Sequence, residues 1–230
     1  MIFHGFQKMT LLDYPGKVAC TLFTAGCNFR CPFCHNSTLV LTPGDAEKYP
    51  EDEILSYLKK RKGLLEGVAV TGGEPTLDPG LPDFLRRVKD LGFPVKLDTN
   101  GTAPALLASL VSEGLVDYVA MDIKNCKAKY AATAGVPTLD MSPILESVSY
   151  LLSGAVDYEF RTTLVRKFHT VSDIASAAEW ISGARRYFLQ NFVDSGLLID
   201  PSMTGVPKSE TLLMLDAARP FVREVSVRGL

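Results

Sequence analysis

Three of the five cysteines in this chain, Cys27, Cys31 and Cys34, fall within the short stretch GCNFRCPFCHN, residues 26–36. An odd number of cysteines argues against a disulfide framework and for metal or thiolate chemistry. A structural zinc site is closed by four ligands, whereas a metal site that does chemistry keeps one position open. In a four-iron cluster each iron takes one cysteine, so three cysteines leave one iron free for a small molecule. The spacing Cys-x3-Cys-x2-Cys therefore favours a 4Fe–4S cluster that has an open iron.

The remaining cysteines offer an alternative, in which Cys20 or Cys126 is the fourth ligand of a zinc site. Cys20 alternates with Val18 and Leu22 in a predicted strand, which is typical of a small buried side chain. Cys126 lies close to two lysines and is interpreted as a surface thiol. Because zinc knuckles usually contain two pairs of cysteines, the cluster is the preferred interpretation.

The elements that must position these cysteines follow from the hydrophobic pattern. Short β-branched or aromatic runs alternate with helical patterns, which predicts repeated βα units and a mostly parallel sheet. The predicted strands are residues 18–24, 67–72, 94–99, 116–122, 157–165, 186–192 and 224–229. Apolar residues recur at spacings of three and four between several of these strands, which predicts helices. The clearest cases are residues 54–58, 81–91 and 106–111.

Polar motifs lie at or just after the carboxyl ends of the first six predicted strands. In chain order they are GCNFRCPFCHN, TGGEPT, DTNG, MDIK, FRTT and LQNF. In a barrel all these strand ends converge on one mouth, whereas a doubly wound sheet would string them along a crevice. The pattern therefore predicts an α/β fold, a partial (β/α)6 TIM-like barrel with an open mouth. We expect residues 1–230 to form a single domain.

The composition excludes some classes of partner. The chain has 230 residues with 24 basic and 26 acidic side chains, a formal charge of −2 that provides no general attraction for nucleic acid. No apolar run approaches the length that spans a bilayer, and the start of the chain lacks the pattern of a signal peptide. We therefore expect a cytoplasmic protein that binds neither nucleic acid nor membrane.

The cysteine spacing, with aromatic Phe33 before the last cysteine, resembles the signature of radical S-adenosylmethionine (SAM) enzymes. DYPGK, CHN, TGGEP, DTNG and MDIK also occur in the order found in the glycyl-radical-enzyme activases. Over residues 1–125 the chain is similar to the activases of pyruvate formate-lyase and, more closely, of anaerobic ribonucleoside-triphosphate reductase. No further cysteine lies between Cys34 and TGGEP, so a single cluster is expected.

The resemblance implies reductive cleavage of SAM to methionine and a 5′-deoxyadenosyl radical, which then removes a glycine Cα hydrogen from a partner glycyl radical enzyme. The expected partner is anaerobic ribonucleotide reductase, and the expected electron donor is of the flavodoxin or ferredoxin type. The chain ends shortly after its last predicted strand, so we expect an open mouth that suits a protein loop. The alternatives are a compact radical SAM enzyme acting on a small molecule, such as 7-carboxy-7-deazaguanine synthase, and a noncatalytic metal-binding module.

The resemblance also implies roles for residues in the first two motifs. Cys27, Cys31 and Cys34 would bind the cluster, with Phe33 beside the cofactor. Gly72, Gly73 and Glu74 of TGGEP would hold the SAM amino group. Without the resemblance, TGGEP and DTNG are each also typical of a tight turn.

The later motifs supply the other predicted SAM and cation ligands. Asp98 and Thr99 would contribute to SAM binding and, with Asp122 and the Ala120 carbonyl, to a site for Na+ or K+. Lys124 and Arg161 would each pair with the SAM carboxylate, although either is also typical of a solvated cation. Where the pyruvate formate-lyase activase has a histidine, this chain has LQNF, so Gln190 and Asn191 are the candidates. The resemblance gives no role to His35.

Overall fold

The computed structural model describes residues 1–194 and 196–229 of the chain. Its strands are β1 (Ile2–Phe3), β2 (Gly5–Thr10), β3 (Ala19–Thr24), β4 (Tyr49–Pro50), β5 (Gly67–Gly72), β6 (Val95–Thr99), β7 (Tyr118–Asp122), β8 (Asp157–Leu164), β9 (Arg186–Asn191) and β10 (Glu224–Arg228). The α-helices are α1 (Ser37–Leu41), α2 (Glu51–Lys60), α3 (Leu81–Asp90), α4 (Pro104–Ser112), α5 (Tyr130–Ala134), α6 (Ser142–Leu152), α7 (Val171–Trp180) and α8 (Lys208–Ala218).

One eight-stranded sheet organises the molecule, in the order β10-β9-β8-β7-β6-β5-β3-β2. All neighbouring pairs are parallel except β2, which runs antiparallel to β3. Among the residues described, β2 and β10 do not pair with each other, so the sheet stays open. This arrangement confirms the predicted partial TIM-like barrel, with β2 added at one edge.

All seven predicted strands are present, and their ends lie within two residues of the predicted ones. The sequence analysis did not predict β2, whose sequence is GFQKMT. Gln7, Lys8 and Met9 are all exposed on this strand, so its sequence lacks the apolar alternation of a half-buried strand. Such a pattern is expected of an edge strand that covers little of the core.

The helices form the outer layer because each has an apolar face. On α3 the residues Leu81, Phe84, Leu85 and Val88 are all completely buried, which matches their spacing of three and four. Burial of one such side chain contributes about 1.5–3 kcal/mol. Within the described part of the chain, no helix is long and apolar enough to cross a membrane.

Candidate active site

A cavity of about 260 Å³ lies at the carboxyl ends of the strands and collects nearly all the predicted site residues. The predicted residues that line it are Cys27, Cys31, Phe33, Cys34, Gly72, Gly73, Glu74, Asp98, Thr99, Asp122, Lys124, Arg161 and Gln190. These residues come from the loops and ends of six successive parallel strands, as the barrel interpretation requires. His35 lines the cavity too, and its ring stacks on Phe192 with 5.3 Å between centroids.

The cysteine loop, residues 26–36, leaves the end of β3 in a tight course that brings all three thiols to the cavity. Cys31 is buried, while Cys27 and Cys34 are half-buried. The Cys34 amide donates to the Cys31 carbonyl over 3.0 Å, and the Phe29 amide donates to the Cys27 Sγ over 3.3 Å. Phe33 packs on Phe168 with 6.0 Å between ring centroids, which shields one side of the loop from water.

The donor set formed by these thiols fits a 4Fe–4S cluster. None of the three takes part in a disulfide, and all of them line one cavity. In a cluster each cysteine binds a different iron, whereas structural zinc requires ligands that share one ion. Among the described residues, no three His, Cys, Asp or Glu side chains are placed to hold a single metal ion. Three thiols on one cavity match the number of cysteines that a four-iron cluster takes when one iron stays open.

Burial raises the pKa of all three thiols, and that of Cys31 rises to about 11. The positive charge of Lys124 acts in the opposite direction on each of them. Since the thiolate is the metal ligand, Lys124 favours the form of the cysteines that binds iron.

The two remaining cysteines lie apart from the cavity. Cys20 is completely buried on β3, as its alternating pattern predicts. Cys126 is also buried, and its Sγ lies 3.7 Å from Asp173 Oδ1. The interpretation of Cys126 as a surface thiol is therefore wrong. Helix α7 contributes to this burial, because Asp173 belongs to its first turn.

The two glycines of TGGEP allow the turn after β5 to contact the cysteine loop. The Gly73 amide donates to the Thr24 carbonyl over 2.9 Å, and the Glu74 amide donates to the Gly26 carbonyl over 2.8 Å. A Cβ atom on Gly73 would lie 1.9 Å from the Gly26 oxygen, and Gly72 has a φ of +116°. The contact and the positive φ both require glycine. Both glycines thus join the β5 turn to the cysteine loop, and their predicted contact with the SAM amino group remains a prediction.

Glu74 is almost completely buried and ties the β5 turn to the end of β6. Its carboxylate accepts hydrogen bonds from the Thr76 hydroxyl at 2.6 Å, the Thr99 hydroxyl at 2.8 Å and the Asn100 amide at 2.6 Å. Burial raises the pKa of Glu74, and these donors oppose that rise. Glu74 and Thr99 thus hold the cavity wall together, and their predicted contacts with SAM remain predictions.

Two asparagines that the sequence analysis left without a role also fix this wall. The Asn36 side chain donates to the Gly72 carbonyl over 2.9 Å, which joins the cysteine loop to the glycine turn. The Asn100 side chain donates to Asn28 Oδ1 over 2.8 Å and accepts from the Thr102 hydroxyl at 2.7 Å. Both asparagines belong to motifs already identified, CHN and DTNG, so their position in those motifs was the available signal.

Five charged side chains form a connected series along the cavity, here called the mouth charge chain: Lys96, Asp98, Arg161, Asp122 and Lys124. Arg161 bridges the two carboxylates, at 2.9 Å from Asp98 Oδ2 and 3.1 Å from Asp122 Oδ1. Lys124 contacts the other Asp122 oxygen at 2.9 Å, and Lys96 contacts the other Asp98 oxygen. The mouth charge chain thus contains three cations and two carboxylates.

The mouth charge chain keeps one net positive charge at neutral pH. Burial alone would raise the pKa of Asp122, but Lys124 and Arg161 hold it at about 2. Arg161 and Lys96 likewise hold the pKa of Asp98 below its usual value against the effect of burial. Lys96 does not line the cavity, whereas Lys124 and Arg161 do, and either of these two cations suits an anionic group such as a carboxylate. A monovalent cation at Asp98 and Asp122 would share their oxygens with Arg161.

Two neighbouring residues predicted from LQNF lie in different places. Gln190 lines the cavity, whereas Asn191 does not. The Asn191 side chain instead donates to the Gly229 carbonyl over 3.1 Å. Successive side chains of a strand point to opposite faces, so residues next to each other on β9 do not both face the cavity.

His169 supports the position of Lys124 from outside the cavity, a role that the sequence analysis missed. Its ring is almost completely buried, with Nε2 2.9 Å from the Lys124 carbonyl and Nδ1 3.0 Å from the Val165 amide nitrogen. In this network Nδ1 accepts from Val165 and Nε2 carries the proton that it donates to Lys124. Burial lowers the pKa of His169, which favours this neutral form.

Comparison with known proteins agrees with this geometry. The profile of the Radical SAM superfamily matches residues 21–181. The chain belongs to the radical SAM superfamily. A Methanocaldococcus jannaschii protein with the name "Putative glycyl-radical enzyme activating enzyme" is 32% identical over 192 residues, which are 82% of this chain and 78% of the relative. This radical SAM chain is thus similar to a named activase over most of its length.

Two further similarities are partial. The anaerobic ribonucleoside-triphosphate reductase-activating protein of Escherichia coli K12 is 33% identical over 91 residues, 39% of this chain and 58% of that protein. The crystal structure of Streptococcus suis SuiB bound to precursor peptide SuiA gives a TM-score of 0.70 at 13% identity, and covers 91% of this chain and 48% of SuiB. At that identity the SuiB comparison supports the fold alone.

Proposed function

We propose that this radical SAM protein is an activase that installs a glycyl radical on a partner enzyme. When bound, a reduced 4Fe–4S cluster supplies an electron that cleaves SAM, and the resulting 5′-deoxyadenosyl radical removes a hydrogen from a glycine Cα. The observation that carries the proposal is the placement of three free cysteines beside Lys124 and Arg161 on one cavity. The similarity to a named activase over most of the chain supports the choice of reaction.

In this proposal Cys27, Cys31 and Cys34 hold the cluster. Lys124 and Arg161, the two cations that line the cavity, bind the SAM carboxylate through charge-assisted hydrogen bonds. The burial of Phe33 against Phe168 excludes water from the cysteine loop. Positioning and the exclusion of water are the contributions that a protein makes to chemistry carried by a cofactor.

The other predicted residues have secondary roles here. Gly72, Gly73 and Glu74 present the backbone and one carboxylate to the SAM amino group, and Gln190 contacts SAM from the opposite wall. Asp98, Thr99 and Asp122 bind Na+ or K+ only if that ion shares the carboxylates with Arg161. A dependence of SAM affinity on potassium concentration, lost in Asp122→Asn, is the expected sign of such an ion. Equal affinities in sodium, potassium and tetramethylammonium salts would contradict it.

The proposed partner is anaerobic ribonucleoside-triphosphate reductase, on the basis of the motif order and the E. coli relative. The proposed donor is a flavodoxin or ferredoxin. We propose that residues 1–230 act as a single radical SAM domain in the cytoplasm, where the five free cysteines would stay reduced.

The first test measures 5′-deoxyadenosine made by the anaerobically reconstituted protein with SAM and a chemical reductant. Product is expected from the wild type and not from Cys31→Ala. The second test adds a peptide with the glycyl loop of an anaerobic ribonucleotide reductase, deuterated at the glycine Cα. Deuterium in 5′-deoxyadenosine supports the activase. Product without deuterium, together with transfer from a small molecule, would contradict it.

A further inference from the structure

Three other segments of the chain contact the cysteine loop. One of them includes Asp200, whose amide donates to the Pro32 carbonyl over 2.8 Å, and the other two are basic. The Arg30 amide donates to the Ala134 carbonyl at the end of α5 over 2.9 Å. Phe33 packs on Phe168, whose carbonyl accepts from the Asn125 side chain at 3.0 Å. Residues 27–35, 124–135 and 165–170 are therefore in mutual contact around the loop.

These three segments contain lysine and arginine but no aspartate or glutamate. Lys124 belongs to the mouth charge chain, and the other basic residues are exposed. We call these exposed side chains the basic face: Arg30, Lys127, Lys129, Arg166 and Lys167. This concentration of one charge contrasts with the chain as a whole, whose formal charge is −2.

The basic face is only partly neutralised by neighbouring carboxylates. Lys129 pairs with Asp173 at 2.7 Å, and Lys167 lies 3.4 Å from Asp200. In the described part of the chain, the other three cations form no ion pair with a carboxylate. Arg30 donates to the carbonyls of Cys27 and Phe29 within the cysteine loop itself.

None of the five side chains of the basic face lines the cavity. A protein bound there would approach the cysteine loop from outside and leave the mouth free for a substrate. The cysteine loop is the part of the chain that separates this surface from the thiols. A donor on the basic face would therefore have a short path to the cluster that the mouth residues do not obstruct.

We propose that the basic face is the docking surface of an acidic one-electron donor protein. The inference rests on the proposed function, because it assumes a cluster on Cys27, Cys31 and Cys34. In the transfer the donor is oxidised by one electron and the cluster is reduced by one, with no bond formed or broken. Complementary charge raises the rate of encounter between proteins by about 10- to 1,000-fold at low ionic strength, and salt screens it.

The test compares two reductants for the same SAM cleavage. One is a reduced acidic flavodoxin, and the other is photoreduced 5-deazariboflavin, a small neutral molecule. The variant is Lys127→Glu/Arg166→Glu, which reverses two exposed charges that form no ion pair with a carboxylate of the described chain. The matched control is Lys8→Glu/Lys60→Glu, two exposed lysines on β2 and α2 near the amino-terminal ends of β3 and β5.

With flavodoxin at low ionic strength, the initial rate of 5′-deoxyadenosine formation should fall about tenfold or more in the variant, and the deficit should vanish in about 1 M salt. With 5-deazariboflavin the variant and the wild type should have equal rates, and the control should behave as wild type with both reductants.

Other outcomes overturn the inference in distinguishable ways. Equal flavodoxin rates in variant and wild type would remove the docking surface, and an equal loss with both reductants would indicate damage to the site. Loss of glycyl-radical formation alone, with 5-deazariboflavin as reductant, would assign the face to the protein substrate. No product from the wild type with either reductant would contradict the proposed function instead.

Discussion

Two clusters that contain charged side chains lie inside the barrel, and only one of them faces the cavity. Four members of the mouth charge chain, all but Lys96, line the cavity, whereas the lower cluster, Tyr118, Glu159 and Arg228, lies one layer deeper and does not. The Glu159 carboxylate, completely buried, accepts from both Arg228 nitrogens at 2.8 and 2.9 Å and from the Tyr118 hydroxyl at 2.8 Å. The lower cluster is therefore closed and joins three strands, while Lys124 and Arg161 of the mouth charge chain face a cavity that can hold a ligand.

The largest expected effect concerns the cysteines at the mouth. Cys31→Ala should abolish the cluster and all cleavage of SAM, because the open-iron site has no substitute thiolate. Cys20→Ala is the matched control, since it removes a thiol of similar burial from β3 and should keep both. Iron content, the visible spectrum and 5′-deoxyadenosine formation measure the outcome. A Cys31→Ala protein with an intact, active cluster would refute the ligand assignment.

The next largest effect should be a loss of stability with no change in SAM binding, in a variant of the lower cluster. Glu159→Ala leaves the partly exposed Arg228 and the buried Tyr118 without their partner, so the free energy of unfolding should fall by about 1–3 kcal/mol. The affinity of the folded protein for SAM should stay the same, because Glu159 does not line the cavity. Urea unfolding and SAM titration provide the two measurements. Weaker SAM binding with unchanged stability in Glu159→Ala would show that the lower cluster serves binding rather than stability.

Arg161→Met should weaken SAM binding and have the smaller effect on stability. SAM should bind about tenfold more weakly or worse, since a charged hydrogen bond contributes about 1.5–3 kcal/mol. Stability should fall less than in Glu159→Ala, because Asp98 keeps Lys96 and Asp122 keeps Lys124. Lys60→Met, at the exposed end of α2, controls for the loss of a positive charge. Unchanged SAM affinity in Arg161→Met would remove this residue from the binding site.

The smallest effect lies outside the barrel, where Asp173 caps α7. Thr170 and Asp173 form a reciprocal capping box, and Lys129 adds an ion pair at 2.7 Å. These contacts hold the pKa of Asp173 below its usual value against the effect of burial. Asp173→Asn should therefore cost about 1 kcal/mol of unfolding free energy at neutral pH.

The pH dependence of that difference follows from the direction of the shift. A depressed carboxyl pKa stabilises the fold above the unfolded value of about 3.9, and the contribution disappears as the pH falls further. Unfolding curves from pH 7 to pH 2.5 should show wild type and variant converging below about pH 4. A constant difference across that range would show that charge plays no part in the cap.

The sequence predicts the mouth well because the strand ends are marked by polar motifs. All seven predicted strands form, and all but one of the predicted side chains of the site line the cavity. The exception, Asn191, follows from strand geometry, since Gln190 already occupies the inward face of β9. The same alternation would have identified Lys96, which lies two residues before Asp98 and therefore on the same face of β6.

The connections between motifs were not predictable in the same way. The contact of Glu74 with Asn100 and the bridge from Asp98 to Asp122 through Arg161 join residues on different strands. Their side chains are brought together by tertiary packing, which sequence spacing does not specify. The edge strand β2 was missed for a related reason, because its pattern reflects exposure rather than a buried face.

The hydrogen bond from Asn36 to Gly72, together with the approach of Gly73 to Gly26, has a consequence for engineering. The cysteine loop and the glycine turn after β5 must be compatible with each other, because a side chain on Gly73 would collide with the cysteine loop. A transplant of residues 26–36 alone into another barrel would place three cysteines on a support that lacks the matching turn. A working graft must carry both loops, so insertions and deletions in either one are constrained by the other.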